Sequence, residues 1–418
     1  MFRFLHTADI HLDSPLKGLE VHDDAPVDEI RGATRRAFEN LVEMAIEEKI
    51  DFILIAGDLY DGDWKDYNTG LFFVRQMGRL HKAGIKVFIV SGNHDAASQT
   101  TKTMPLPDNV TLFSPRKPQS VKLDDIGVMI HGRSYSSRAV TENLASSYRQ
   151  HDSNFFNIGL LHTSLTGREG HEDYAPCTID DLKSKGYDYW ALGHVHQREV
   201  VAEDPWVLFP GNLQGRHIKE TGAKGATLVT VEDGRITEVE ARELDVLRWT
   251  VCLAELSECE TKEAIYERVR TAMEKEIAIV DGQTLALRLQ LAGSCPLHAE
   301  LHARSVQWTE EFRGIAAGLG DVWLEKVKFR TNRKTSLAQI VGEDTALSGL
   351  LQAVESLEFD GDALTTWVPD LANLKTKLPA ELLDVDSLLA VQPEHLSELR
   401  DAVKELLIAK LIQHGGEA

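Results

Sequence analysis

Residues 1–245 predict a layered α/β fold. Three observations carry that expectation. Short apolar stretches of strand length alternate with longer ones whose apolar residues recur at a helical period. The strand-like stretches end on Gly, Asp, Asn or His, residue types that close strands and open turns. The texture then changes near Val246, and 418 residues are too many for one ordinary core, so two or three domains are expected.

In chain order, "FRFLHTAD" reads as a strand and "VDEIRGATRRAFENLVEMAIEEK" as an amphipathic helix. "DFILIAGD" is a buried strand, "TGLFFVRQMGRLHKAG" a helix closed by Gly84, and "IKVFIVSGNHD" the next strand. "GVMIHGRSY", "NIGLLHTS", "YDYWALGHVHQ" and "WVLFPGN" follow as strands. "ATLVTVEDGRITEVEARELD" reads as a hairpin turning at Asp233-Gly234. Residues 246–335 suggest a small α+β unit, with "RWTVCLAEL", "TLALRLQLAG" and "VWLEKVKFRT" as strands and a helix at Lys262 to Ile277. Residues 336–418 read as helical and acidic, broken at Gly361, Pro369, Pro379 and Pro393.

The composition, 43% hydrophobic and 27% charged, is that of a soluble globular chain. No signal-peptide pattern and no stretch of about 18 apolar residues is present, so no membrane role is expected. Four scattered cysteines, Cys177, Cys252, Cys259 and Cys295, fit a reducing cytoplasm. The formal charge is −21, and Ser336 to Ala418 hold 15 acidic against 5 basic residues. Bulk charge therefore excludes a basic nucleic-acid binder; a phosphate polymer would need a local basic patch, metal ions or a partner's surface.

The chemistry is written at the strand ends. "HTADIHLD" brings Asp9 and His11, two apart and so on one face of a strand. "IAGDLYD" ends on Asp58, "VSGNHD" on Asn93, His94 and Asp95, "LLHTS" on His162, and "LGHVHQ" on His194 and His196. Singly, each has a plain reading as a turn or a polar strand end. Together they place oxygen and imidazole donors where α/β sheets bind ligands, beyond the carboxyl ends of the strands. Phosphate-ester hydrolysis needs hydroxide at neutral pH and relief of charge on phosphoryl oxygens, and two divalent ions supply both. Asp58 is the natural bridge, with Asp9, His11 and His196 on one ion and Asn93, His162 and His194 on the other. These donors suit manganese first, with iron or zinc as alternatives. His94 is the candidate to protonate the leaving oxygen. Asp95 either orients that imidazole or caps a helix.

The set "DIH", "GDLYD", "GNHD", "LHT" and "GHVH", in this order, resembles the calcineurin-type metallophosphoesterase superfamily over residues 1–245. The opening "HTADIHLD" and the following α+β unit resemble the DNA-repair exonuclease branch, the nuclease subunit of SbcC–SbcD-type complexes. "GREGHEDYAPC" and "FPGNLQGRHIKE" are similar to the bacterial YhaO-type proteins. The resemblance implies a layered β-sandwich core flanked by helices and a capping role for residues 246–335 in selecting DNA ends. It also implies a homodimer, and docking of the terminal helices on an SMC-like coiled-coil ATPase. Leu396, Leu399, Val403 and Leu406, at 3-4-3 spacing, would form the docking face, or pack on the same chain. Asp61 stands where other members of the branch carry a phosphate-positioning histidine.

Arg216 and His217, with Lys219, form a locally positive loop expected to contact phosphate or DNA; the alternative is a solvated loop. His171 belongs to a loop near the mouth, His6 and His131 read as core residues, and Arg133 and Arg138 are candidates to flank a groove. Two rivals stand beside the DNA nuclease: a small-molecule phosphodiesterase or nucleotidase, and a non-catalytic scaffold subunit of an ATPase.

Overall fold

The computed structural model describes residues 1–14, 32–61, 67–97, 105–166, 174–280 and 282–333, with scattered positions between 349 and 408. The chain forms two compact units, the first closing at Arg248 and the second opening at Trp249. His171, Leu396, Leu399 and most of 336–418 lie outside the described residues.

The first unit holds β1 (Phe2–Thr7), β2 (Phe52–Ala56), β3 (Lys86–Val90), β4 (Val110–Leu112), β5 (Gln119–Leu123) and β6 (Val128–Gly132). It continues with β7 (Phe156–His162), β8 (Tyr189–Gly193), β9 (Glu199–Glu203), β10 (Trp206–Phe209), β11 (Gly225–Glu232) and β12 (Arg235–Glu243). They build two six-stranded sheets, ordered β12-β11-β1-β2-β3-β4 and β5-β6-β7-β8-β10-β9. β1 to β4 run parallel, with β11 antiparallel to β1. In the other sheet β6, β7, β8 and β10 run parallel.

The inner faces meet in a core rich in aromatic rings. Phe4, Phe52, Phe88 and Val229 of the first sheet pack with Phe156, Ile158, Leu160 and Tyr189 of the second. Phe4 stacks on Phe52 at 5.1 Å between centroids and meets Tyr189 edge-on at 5.2 Å, geometries that aromatic quadrupoles favour. The outer face of the first sheet is covered by helices Ala33–Glu47 and Tyr67–Lys82 through Phe38, Leu41, Val42, Phe73, Met77 and Leu80. Their apolar residues recur at three and four, as a one-sided helix requires. The expected closing glycine is in place: Gly84 has φ +77°, and Ile85 N–H donates to Leu80 O at 2.9 Å. Asp233 and Gly234 both take positive φ between paired Glu232 and Arg235, the two-residue turn read from the sequence. The second sheet's outer face is covered by Tyr135, Leu144, Tyr148, Leu182 and Tyr187 around Trp190.

The second unit carries β13 (Leu247–Glu255), β14 (Thr284–Cys295) and β15 (Val322–Arg333), with β14 central and parallel to β15. Helices Lys262–Ile277 and Ser305–Gly318 bury Ile265, Val269, Met273, Trp308 and Phe312 against Leu287, Leu289 and Leu291. All four cysteines are buried, and none is in a disulfide.

Candidate metal centre

The strands β1, β2, β3, β7 and β8 all stop at the same end, and the backbone beyond them is unusual. Asp9, His11, Asp58 and His194 take positive φ of 49°, 46°, 51° and 109°. Non-glycine residues rarely adopt that region, and such strain clusters at functional sites. Asp9 and His11 therefore converge by a route the i, i+2 strand reading did not foresee. β1 ends at Thr7, and a left-handed kink at each residue turns the side chains. Asp9 N–H donates to Gly57 O at 3.0 Å and His11 N–H to Asp58 O at 3.0 Å, which stitches the two loops together.

The glycines of the "GD", "GN" and "GH" pairs are there for close approach. A Cβ on Gly92 would lie 2.3 Å from Oδ1 of Asp58, and one on Gly193 only 1.9 Å from Ala56 O. Such distances leave no room for any side chain.

All seven predicted ligands converge. Nε2 atoms of His11 and His196 stand 3.3 Å apart, with Asp9 Oδ1 3.8 Å from His196 Nε2. On the other side His162 Nε2 is 3.0 Å from Asn93 Oδ1 and 3.5 Å from Asp58 Oδ2. Donor atoms of Asp9, His11 and His196, and of Asp58, His162 and His194, form two groups each within 4.8 Å. Asp58 also groups with His11 and His94, so it adjoins both.

The donor set fits cations. His162 Nδ1 donates to the Ala56 carbonyl at 2.8 Å, a group that only accepts, so Nε2 is left as an acceptor. It faces two further acceptors, Asn93 Oδ1 and Asp58 Oδ2, with no proton to share. Burial holds the His162 imidazole neutral by lowering its pKa to about 4. His196 repeats the arrangement: Nδ1 donates to Glu220 Oε1 at 2.6 Å and Nε2 faces His11 and Asp9. Burial, then the neighbouring Asp58 charge, raises the Asp9 carboxyl far above its usual range; burial raises Asp58 as well. Lone pairs pointing at lone pairs, beside carboxylates that ionise reluctantly, are what a divalent ion relieves.

At the rim stands His94, whose side chain is 30% exposed. Its Nδ1 is 2.8 Å from Asp61 Oδ1. Burial alone would lower its pKa, but the Asp61 bond and the Asp58 charge outweigh that and raise it above the ordinary histidine value. The group bonded to the His94 imidazole is thus Asp61, not Asp95. The other Asp61 oxygen takes a 2.6 Å bond from Ser14. Asp95 is buried and instead accepts the N–H groups of Leu59, Tyr60 and Gly92 at 3.2, 2.9 and 3.1 Å. It clamps the Asp58 loop to the first turn of helix Asn93–Ala97, close to the capping alternative. Asp95→Ala is expected to lower the domain's stability by at least about 2 kcal/mol, since unpaired buried donors cost about 1–3 kcal/mol each. A thermal melt of the metal-free protein checks this.

Arg216 reaches between the two carboxylate–imidazole pairs. Its guanidinium is 3.7 Å from Asp61 Oδ2, 3.6 Å from Glu220 Oε1 and 3.4 Å from His196 Nδ1. His217 lies 3.4 Å from Glu220. His6 bonds Tyr189 and Leu192 O, and His131 bonds Ser120 and Asn157; both are satisfied core residues. Arg133 is held by Glu142 and Ser147, and Arg138 is exposed. Glu220 is the residue sequence reasoning missed. It lies in the quoted "RHIKE" loop, 24 positions from His196, and no spacing rule links the two. Burial would raise its carboxyl; the His196 bond and the Arg216 charge outweigh that and hold it well below the usual range.

Similarity to known proteins shows the family. A family profile described as calcineurin-like phosphoesterase matches residues 2–198, and one described as the middle domain of metallophosphoesterase YhaO matches residues 249–332. The uncharacterized metallophosphoesterase YhaO of Bacillus subtilis (strain 168) is 36% identical over 375 residues, 85% of this chain and 90% of that protein. The DNA double-strand break repair protein Mre11 of Sulfurisphaera tokodaii is 29% identical over 261 residues, 58% of this chain and 63% of its own length. Among solved structures, a dimetal phosphatase from Danio rerio matches at 10% identity and a TM-score of 0.35, covering 58% of this chain and 96% of that one. No helix among the described residues is long and apolar enough to cross a membrane. The chain belongs to the calcineurin-like metallophosphoesterases, a family that binds two divalent metals, and is similar along most of its length to YhaO.

Proposed function

We propose that this metallophosphoesterase hydrolyses DNA phosphodiester bonds as the nuclease subunit of an SbcC–SbcD-like complex with an SMC-like ATPase. The observation that carries the reading is the acceptor-only ligand cluster with the Asp61-held His94 at its rim. The name of the Mre11 relative supports DNA as the substrate. Bound metals supply an activated water and neutralise phosphoryl oxygens. The chain's own groups do the rest. Asp58 adjoins both ligand groups and would serve both. His94, whose pKa the Asp61 bond raises, gives its proton to the leaving oxygen. Arg216 offers its fork to a non-bridging phosphate oxygen. An oxygen and imidazole donor set without thiolate suits manganese first, then iron or zinc. Residues 246–335 would select the DNA end and 336–418 would dock the ATPase. Buried cysteines outside any disulfide support a reducing, cytoplasmic setting, and a homodimer completes the proposal.

The charge of −21 favours a second reading, a small-molecule phosphodiesterase or nucleotidase. One assay separates them: manganese-dependent hydrolysis of an end-labelled linear duplex beside hydrolysis of nucleotides, with Asp58→Ala as control. Wild-type degradation that Asp58→Ala abolishes is the expected result. Nucleotide turnover with intact duplex, also after adding the ATPase, would favour the second reading.

A further inference from the structure

We infer that Glu220 is a positioning residue for His196, and that it makes the Asp9–His11–His196 site the tighter of the two metal sites. The inference rests on the two-metal reading above. The two sites differ in what stands behind their imidazoles. His162 Nδ1 donates to a neutral carbonyl, Ala56 O, at 2.8 Å. His196 Nδ1 donates to a carboxylate, Glu220 Oε1, at 2.6 Å. A charged partner raises the basicity of the opposite ring nitrogen and fixes its tautomer more strongly than a carbonyl does.

Glu220 is itself locked. It is 6% exposed, and Oε2 takes bonds from Asn212 Nδ2 at 2.9 Å and Arg216 N–H at 2.7 Å. His196 therefore cannot swing away, and its backbone carbonyl is pinned by Lys224 Nζ at 2.9 Å. The ligands add to the asymmetry. Beyond the shared Asp58, one site has the carboxylate of Asp9 where the other has the neutral amide of Asn93. For a divalent cation the more anionic donor set binds more tightly.

The test is a manganese titration of the metal-free full chain by calorimetry. Wild type is expected to bind in two unequal steps, and Asn93→Ala to keep only the tighter one. Glu220→Gln, which keeps an acceptor and removes the charge, should weaken the tighter step about 10- to 100-fold and leave the weaker step in place. Asn212→Ala, which removes one of the two donors that lock Glu220 Oε2, should weaken the same step by less than Glu220→Gln does and leave the weaker step in place. Equal steps in the wild type, or a Glu220→Gln isotherm that matches wild type or shifts both steps together, overturn the inference. Were Glu220→Gln not to fold, the wild-type and Asn93→Ala isotherms still decide. A wild type that takes up no manganese would instead remove the two-metal reading itself.

Discussion

Alanine in place of His94 is expected to lower DNA hydrolysis by about 10²- to 10⁴-fold, the usual range for loss of a general acid, while the protein still binds both metals. The reason is its position. His94 lies beside the ligand cluster, its ring 4.9 Å from that of His11, and its Nδ1 is committed to Asp61. Nε2 is therefore the ring nitrogen left to give a proton. Leaving-group chemistry gives the prediction a second edge. A deoxyribose alkoxide needs a proton to depart, whereas a nitrophenolate does not. His94→Ala should thus impair DNA cleavage far more than cleavage of a bis-nitrophenyl phosphate. Equal losses on both substrates would assign His94 to charge stabilisation rather than proton transfer. Asp61→Asn should show the same substrate preference with a smaller loss, because the imidazole stays but its pKa is no longer held up.

A single methyl group at residue 92 is expected to do comparable damage by another route. The Cβ of Gly92→Ala would stand 2.3 Å from Oδ1 and 2.9 Å from the backbone nitrogen of Asp58. Asp58 is buried, and its Oδ1 also accepts the His94 backbone N–H at 3.0 Å, so it cannot step aside alone. Either the Asp58 loop or the start of helix Asn93–Ala97 must move, and both carry candidate ligands. A displacement of about 1 Å in such a site costs on the order of 10²-fold in rate. We expect Gly92→Ala to lose at least that much activity and to bind manganese weakly at both sites, with far-ultraviolet circular dichroism near that of wild type. Wild-type activity and metal stoichiometry would show that the loop yields cheaply.

The sequence by itself determined most of the parts. Apolar strands ending on Asp, Asn and His announced a site at one end of parallel strands, because period and turn chemistry are local properties. All seven ligand candidates and His94 could be named for that reason. The hairpin at Asp233-Gly234 and the cap at Gly84 were equally local. What only the tertiary structure decided was which groups stand behind the ligands. Asp61, not Asp95, holds His94, since the Asp95 carboxylate is consumed by three backbone N–H groups of two loops. Glu220 meets His196 across loops that no periodicity relates. The positive φ of Asp9, His11 and Asp58 belongs to the same class. Those kinks persist because neighbouring loops bond the backbone on either side, and such pairings arise only once β1 and β2 lie side by side in the sheet.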